Sequence, residues 1–130
     1  MQEQIEFYQK KLMYEMDPSD LYDVFQNSTE YIAVDTRKSN GYSKEHIPSA
    51  INLPHREMTE ESTRHLDKSK IYVCYCDGIG CNASTKGALK MTQLGFKVME
   101  LIGGIEWWKF DGYATEGTDP TNGSAFVCSC

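Results

Sequence analysis

Six consecutive strand-forming residues, Ile71-Tyr72-Val73-Cys74-Tyr75-Cys76, run into the loop Asp77-Gly78-Ile79-Gly80-Cys81-Asn82-Ala83, and a helix-like segment begins at Ser84. A strand apolar at nearly every position has no face to offer to water, so it belongs inside a sheet covered on both sides. The order strand, glycine-containing loop, helix is that of a parallel sheet with helical crossovers. It is also a junction suited to a reactive sulfur. The strand carries Cys76 to the carboxyl edge of the sheet, and the glycines let backbone N–H groups approach it. The next helix directs the positive end of its dipole toward the loop. Cys76 is therefore the candidate nucleophile, acting on an anionic or sulfur-bearing group.

The rest of the chain alternates in the same way. Gln2 to Tyr14 has apolar residues at helical spacing, Ile5, Tyr8, Leu12 and Met13, and is read as an amphipathic flank. Asp17-Pro18-Ser19-Asp20 is a helix start, with Asp17 as cap and Pro18 in the first position. Tyr31 to Val34 reads as a buried strand ending at Asp35, and Ala50 to Leu53 as a shorter strand closed by Pro54. Thr59 caps another helix, Lys70 to Tyr75 is the central strand, and the helix from Ser84 stops at Gly95. Lys97 to Ile102 is the last strand, and Gly103-Gly104 turns into the aromatic segment Ile105 to Phe110. The fold class is α/β: a central, mostly parallel sheet of about five strands with helices on both faces. Its ligands sit beyond the carboxyl ends of the strands, where the loops after Val34, Tyr75 and Ile102 converge. The expected divisions are a helical flank over 1–15, the domain over 16–116 and a flexible tail over 117–130.

Charge and composition narrow the function. With 13 basic and 19 acidic residues the 130-residue chain has a formal charge of −6. This disfavours nucleic acid or an anionic membrane as a partner. No stretch approaches the roughly 20 apolar residues of a membrane span, the start does not read as a signal peptide, and the expected location is cytoplasmic. Five cysteines, Cys74, Cys76, Cys81, Cys128 and Cys130, are odd in number and crowd one loop and one tail. That pattern fits catalytic or buried thiols in a reducing compartment better than a disulfide framework. Their spacing is wrong for a zinc site, and neither metal nor cofactor is expected.

Four elements, in order, resemble the single-domain rhodanese-like sulfurtransferases. Ile32-Ala33-Val34-Asp35-Thr36-Arg37 is similar to the family's strand with Asp-x-Arg, and Glu45-His46-Ile47-Pro48-Ser49-Ala50 to its Gly-His-Ile-Pro-Gly-Ala stretch. Val73-Cys74-Tyr75-Cys76 resembles the strand bearing the catalytic cysteine. Leu94-Gly95-Phe96 through Leu101-Ile102-Gly103-Gly104-Ile105-Glu106-Trp107-Trp108 resembles the C-terminal signature. The likeness covers about Met16 to Tyr113. It implies that the Cys76 thiolate takes the outer sulfur of thiosulfate or a persulfide, holds it as a persulfide, and passes it to cyanide or a thiol. Backbone N–H groups of Gly78, Ile79, Gly80 and Cys81 would stabilise the terminal sulfur, with Asp77, Asn82, Ala83 and Ser84 completing the loop. Asp35 and Arg37 are supporting residues. Asp35 is expected to hydrogen-bond loop backbone, and Arg37 to form an ion pair or steer anions. The partners implied are a small or protein-bound sulfur donor and a thiol acceptor, while the N-terminal helix is open to a protein partner.

The loop departs from the common pattern by being longer and lacking Arg or Lys. Asp77 adds negative charge, so a dianionic donor such as thiosulfate is expected to load poorly and a persulfide donor better. Cys81 either fills a turn or resolves a Cys76 persulfide or sulfenate as an intraloop disulfide. Cys74, mid-strand, is expected in the core, and the Cys128-x-Cys130 tail is expected to be a disordered end or else to receive sulfur or bind a soft metal. His46 is expected to pack, His55 and His65 to lie at the surface, and Trp107 and Trp108 to cover the core or a pocket edge. Two alternatives remain. A cysteine-dependent phosphatase of this fold needs an Arg where this chain has Asn82. A regulatory or interaction module would keep the fold without turnover.

Overall fold

The computed structural model describes residues 1–123, so the expectations for Cys128 and Cys130 lie outside the described residues. The helices are α1 (Gln2–Tyr14), α2 (Pro18–Asn27), α3 (Ser39–Lys44), α4 (Glu60–Thr63), α5 (Ala83–Gln93) and α6 (Gly104–Phe110). The strands are β1 (Glu15–Met16), β2 (Tyr31–Asp35), β3 (Ile51–Asn52), β4 (Ile71–Tyr75) and β5 (Lys97–Leu101). All pair in parallel in the order β1-β5-β4-β2-β3, which puts β4 at the centre. The α/β architecture is therefore the one read from the sequence.

Side chains alternate across β4 because successive residues of a strand point to opposite faces. Val73 and Tyr75 enter one core with Leu21, Ile105 and Trp108. Tyr72 and Cys74 enter the other with Met91 and Phe96. Both faces are covered, as the unbroken apolar run requires. Local signals fix the helix starts: the Asp17 carboxylate accepts from the Asp20 N–H at 2.8 Å, and Thr59 and Ser62 form a reciprocal capping box. Trp108 is buried with its indole N–H donating to the Ala114 carbonyl, while Trp107 remains exposed.

Two features differ from the sequence reading. Met16 and Glu15 pair with Leu101 and Glu100, so the sheet begins inside the segment assigned to the flank. Two residues are too few to show a strand period. Helix α3 was not expected because Ser-Asn-Gly-Tyr-Ser-Lys is poor in helix formers; Tyr42 Oη, donating to the Ala50 carbonyl at 2.6 Å, holds it by tertiary contact. Helix α1 buries no residue and leaves Ile5, Tyr8 and Leu12 exposed.

The expected tail is also packed over its described start. Thr118 and Asp119 N–H groups donate to the Ser43 and Lys44 carbonyls, and His46 bridges Glu116 in antiparallel fashion. At the centre of this clasp Glu45 accepts from Thr115 Oγ1 at 2.6 Å, Thr121 Oγ1 at 2.5 Å and Lys109 Nζ at 2.9 Å. Burial opposes ionisation of Glu45, but the two hydroxyls and the ammonium outweigh it and bring its pKa from 4.5 to about 2. The folded chain thus takes up this proton less readily than the unfolded chain. The clasp contributes fully above about pH 4.5, weakens as pH falls, and is lost near pH 2. Amide exchange of Thr115 to Thr121 should therefore speed up on acidification across that window, and Glu45→Gln should exchange fast at neutral pH already. Exchange independent of pH in the parent, after correction for the intrinsic rate, would remove Glu45 as the cause.

Candidate active site

Cys76 follows β4 directly and is 3% exposed. It continues the face that carries Tyr72 and Cys74, toward α5. Cys81 curls back over it, and the two sulfurs are joined in a disulfide with the Cα atoms 6.2 Å apart, a separation that such a bond ordinarily spans. Of the two roles considered for Cys81, the geometry places its sulfur on Cys76. Cys74 is wholly buried, and burial followed by the nearby Glu100 charge pushes its thiol up to about 12, so it remains protonated at neutral pH.

The loop is fastened at its base by the turn into α6. The Ile105 and Glu106 N–H groups donate to the Cys76 and Asp77 carbonyls at 3.0 and 2.9 Å. Gly104 makes this approach possible: its φ is +61°, and a Cβ would fall onto the Cys76 carbonyl oxygen. Gly78 is less confined, since a side chain there would meet only the end of the exposed Glu106 carboxylate, at 2.7 Å. The crest of the loop is open: Ile79 is 77% exposed and a Cβ on Gly80 would meet nothing within 4 Å. The Cys81 N–H turns to the Gly78 carbonyl at 3.2 Å, so it does not join the sulfur-stabilising set expected of it.

Arg37 occupies the junction between the loops after β2 and β4. Its guanidinium meets Asp35 through Nε at 3.0 Å and Nη2 at 2.7 Å, the Glu45 carbonyl at 2.5 Å, and Asp77 Oδ1 at 3.2 Å. Burial disfavours its charge, but the bonds to Asp35, that residue's charge and then Asp77 more than compensate and hold it above its ordinary value. This corrects two expectations. Asp35 does not bond the Cys76 loop; its carboxylate accepts from the Arg37 backbone and side chain and from Tyr75 Oη at 3.0 Å. The charge of Asp77 is partly offset, because Arg37 reaches it. Arg37 is thereby an ion-pair residue tying one loop to the other.

At the start of α5, Asn82 is the cap residue and makes no side-chain cap bond, and Ala83 opens the helix. Ser84 is buried and donates to Glu100 Oε2 at 3.2 Å, with Thr85 donating to the same oxygen at 2.9 Å. The first N–H groups of a helix attract negative charge, and here a carboxylate of the protein is already beside them. Asp77 and Glu106 add two exposed carboxylates around the loop, of which Asp77 is reached by Arg37, and the loop itself carries no cationic side chain. Among the described residues no group of three His, Cys, Asp or Glu side chains is arranged to hold a metal ion. The sequence reading missed Tyr75, Glu100 and Glu106. Nothing in a one-dimensional pattern marks an apolar-strand tyrosine as bridging Asp35 to the Ile47 N–H, although the paired glycines before Glu106 did mark a constrained turn.

Cys76, Asp35, Arg37 and Gly104 thus meet at one sheet edge, in the order of a recognisable family. The model of the rhodanese-like domain matches residues 17–111. The solved BH2092 protein of Bacillus halodurans is 41% identical, aligns over 98% of this chain and 94% of its own, and superposes with a TM-score of 0.87. A rhodanese-related protein of Thermoplasma volcanium is 26% identical over 79% of this chain and 97% of its own, with a TM-score of 0.68. A probable molybdopterin-synthase adenylyltransferase of Porphyra purpurea is 29% identical over 87 residues, 66% of this chain. The chain spans only 22% of that curated relative's length. With a match that runs from the cap of α2 to the end of α6 and takes in every anchor of the Cys76 loop, the chain belongs to the rhodanese-like domain family.

Proposed function

We propose that this chain is a sulfurtransferase that moves sulfane sulfur from a persulfide donor to a thiol through a persulfide on Cys76. The observation that carries the reading is the position of Cys76 itself, at the end of the central strand in a loop fastened on one side by α6 and on the other by Arg37. In the reduced chain a Cys76 thiolate attacks the outer sulfur of the donor, and the donor's remaining thiol leaves. An external thiol then takes the sulfur. The phosphatase alternative lacks a phosphate-gripping side chain, since Asn82 stands where an Arg is needed and Arg37 is committed to Asp35 and Asp77.

Charge selects the donor. Unit charges about 4 Å apart repel by ~1 kcal/mol even in a water-like dielectric, and more where solvent is thin. Asp77, Glu106 and Glu100 therefore disfavour a dianion more than a singly charged or neutral persulfide. In a reduced Cys81→Ser chain, a low-molecular-weight cysteine persulfide should place one sulfur atom on the Cys76 peptide, and thiosulfate should do so at least about tenfold more slowly. Mass spectrometry of alkylated peptides reads both. Equal rates would remove the donor preference. Failure of every sulfane donor to label Cys76 would remove the sulfurtransferase reading and leave a binding module.

A further inference from the structure

We infer that Cys81 is the internal acceptor of the Cys76 persulfide's inner sulfur, so that the domain releases hydrosulfide and closes its own loop as the Cys76–Cys81 disulfide. The inference rests on the persulfide reading of Cys76 given above. Its starting observation is that the loop already folds so that the Cys81 sulfur lies on Cys76 Sγ, five residues away, with the Cα atoms 6.2 Å apart. The atom Cys81 reaches is the one that becomes the inner sulfur when Cys76 is loaded.

The step balances without an outside oxidant. The Cys81 thiolate attacks Cys76 Sγ in Cys76–S–SH; a Cys81–Cys76 sulfur bond forms, the bond to the outer sulfur breaks, and HS⁻ departs with the electron pair. Cys81 is oxidised to the disulfide level and the sulfane sulfur is reduced to sulfide. Hydrosulfide is a weaker base than an alkyl thiolate and so a competent leaving group, and the reach of Cys81 to Cys76 Sγ selects the inner sulfur. The surroundings assist departure. Glu106 is an exposed carboxylate beside the loop, Arg37 is already paired with Asp77 and Asp35, and the loop itself carries no basic side chain to retain an anion.

Resetting the loop needs two equivalents of an external thiol, or one dithiol, and the burial of the two sulfurs sets the order of events. Cys76 is 3% exposed, while Cys81 is half-buried below an open crest formed by Ile79 and Gly80. A reductant therefore reaches the Cys81 sulfur first and expels Cys76 as a thiolate, the form needed for the next donor. A second thiol then frees Cys81 and leaves as the oxidised reductant.

The test uses the full chain, reduced and freed of reductant, mixed with a cysteine persulfide whose sulfane sulfur is isotopically heavy, with no other thiol added. The parent should release about one heavy sulfide per chain, in keeping with a single resolving exchange. Peptide mapping should then find the Cys76–Cys81 disulfide. Cys81→Ser should take up the heavy sulfur, hold it on Cys76, and release sulfide at least about tenfold more slowly. Uptake by Cys81→Ser also shows that the variant is folded. A parent that holds its Cys76 persulfide as long as Cys81→Ser does, or that moves the heavy sulfur onto Cys81, overturns the inference and leaves the sulfurtransferase reading intact. Absence of uptake in both chains overturns the two together.

Discussion

Replacing Cys76 with alanine is expected to abolish consumption of sulfane donors, by about 10³-fold or more, the scale on which loss of a covalent nucleophile acts. The candidate for taking over is poor. Cys74 is one turn of the pleat away on the same face, but it is wholly buried and its thiol is pushed up to about 12 by burial and by Glu100. Cys81 is half-buried and its backbone lies in the loop, its Cα 6.2 Å from that of Cys76, so its thiol is not carried by the end of β4. The fold should survive, because the contacts that hold the loop are made by the Cys76 and Asp77 carbonyls rather than by sulfur. Under reducing conditions the stability lost should be about 1 kcal/mol, the scale of one buried methylene-sized group. Denaturant unfolding and donor consumption, measured on the same preparation, separate the two effects. Residual consumption within tenfold of the parent would mean that another sulfur is the nucleophile.

The second large effect lies beneath the loop. Asp35→Ala removes a carboxylate with no exposure and leaves the Arg37 guanidinium, whose side chain is 13% exposed, without its main partner. Breaking a buried ion pair by deleting one member costs about 3–5 kcal/mol, mostly the uncompensated charge that remains. In a domain of this size that should lower the thermal midpoint by on the order of 10–20 °C. Tyr75 Oη loses its acceptor as well, though it still accepts from the Ile47 N–H at 3.1 Å. The double variant Asp35→Ala with Arg37→Met removes both charges and should recover a large part of the loss, which a double-mutant cycle measures as coupling. A single-variant cost below about 1 kcal/mol, as for a surface pair, would show that Arg37 is solvated and that the loops after β2 and β4 are not tied through it.

What could be read in the chain before its structure followed from how local each cause is. The Ile71–Cys76 run, the Asp17-Pro18 cap and the Gly95 stop act within a few residues, and the elements they mark are where expected. The central place of β4 also followed, because a continuous apolar strand has to be covered on both faces. Strand β1 and helix α3 were missed because their cause is distant: pairing with β5 for one, and the Tyr42 bond to Ala50 for the other. The site divides in the same manner. Cys76 and its loop were visible as a motif, whereas the orientation of each polar group was not. Asp35 turned toward Arg37 and Tyr75, Arg37 reached Asp77, and Ser84 found Glu100, all through contacts between residues far apart in sequence. A one-dimensional pattern records which groups are present near a cysteine, and only the packed sheet decides which of them face each other.

The fastening of the loop by Ile105 and Glu106 has a kinetic consequence. With Cys76 and Asp77 held at the carbonyl, opening of the bridge frees only a short arc, and Cys81 stays tethered within reach of the sulfur it left. A short tether corresponds to a local thiol concentration on the order of millimolar or higher. Free acceptors more dilute than that lose the race for the loaded sulfur, whereas one docked on the protein competes as an equal. Whether sulfur is delivered or discharged as sulfide is then decided by who is bound at the moment of loading.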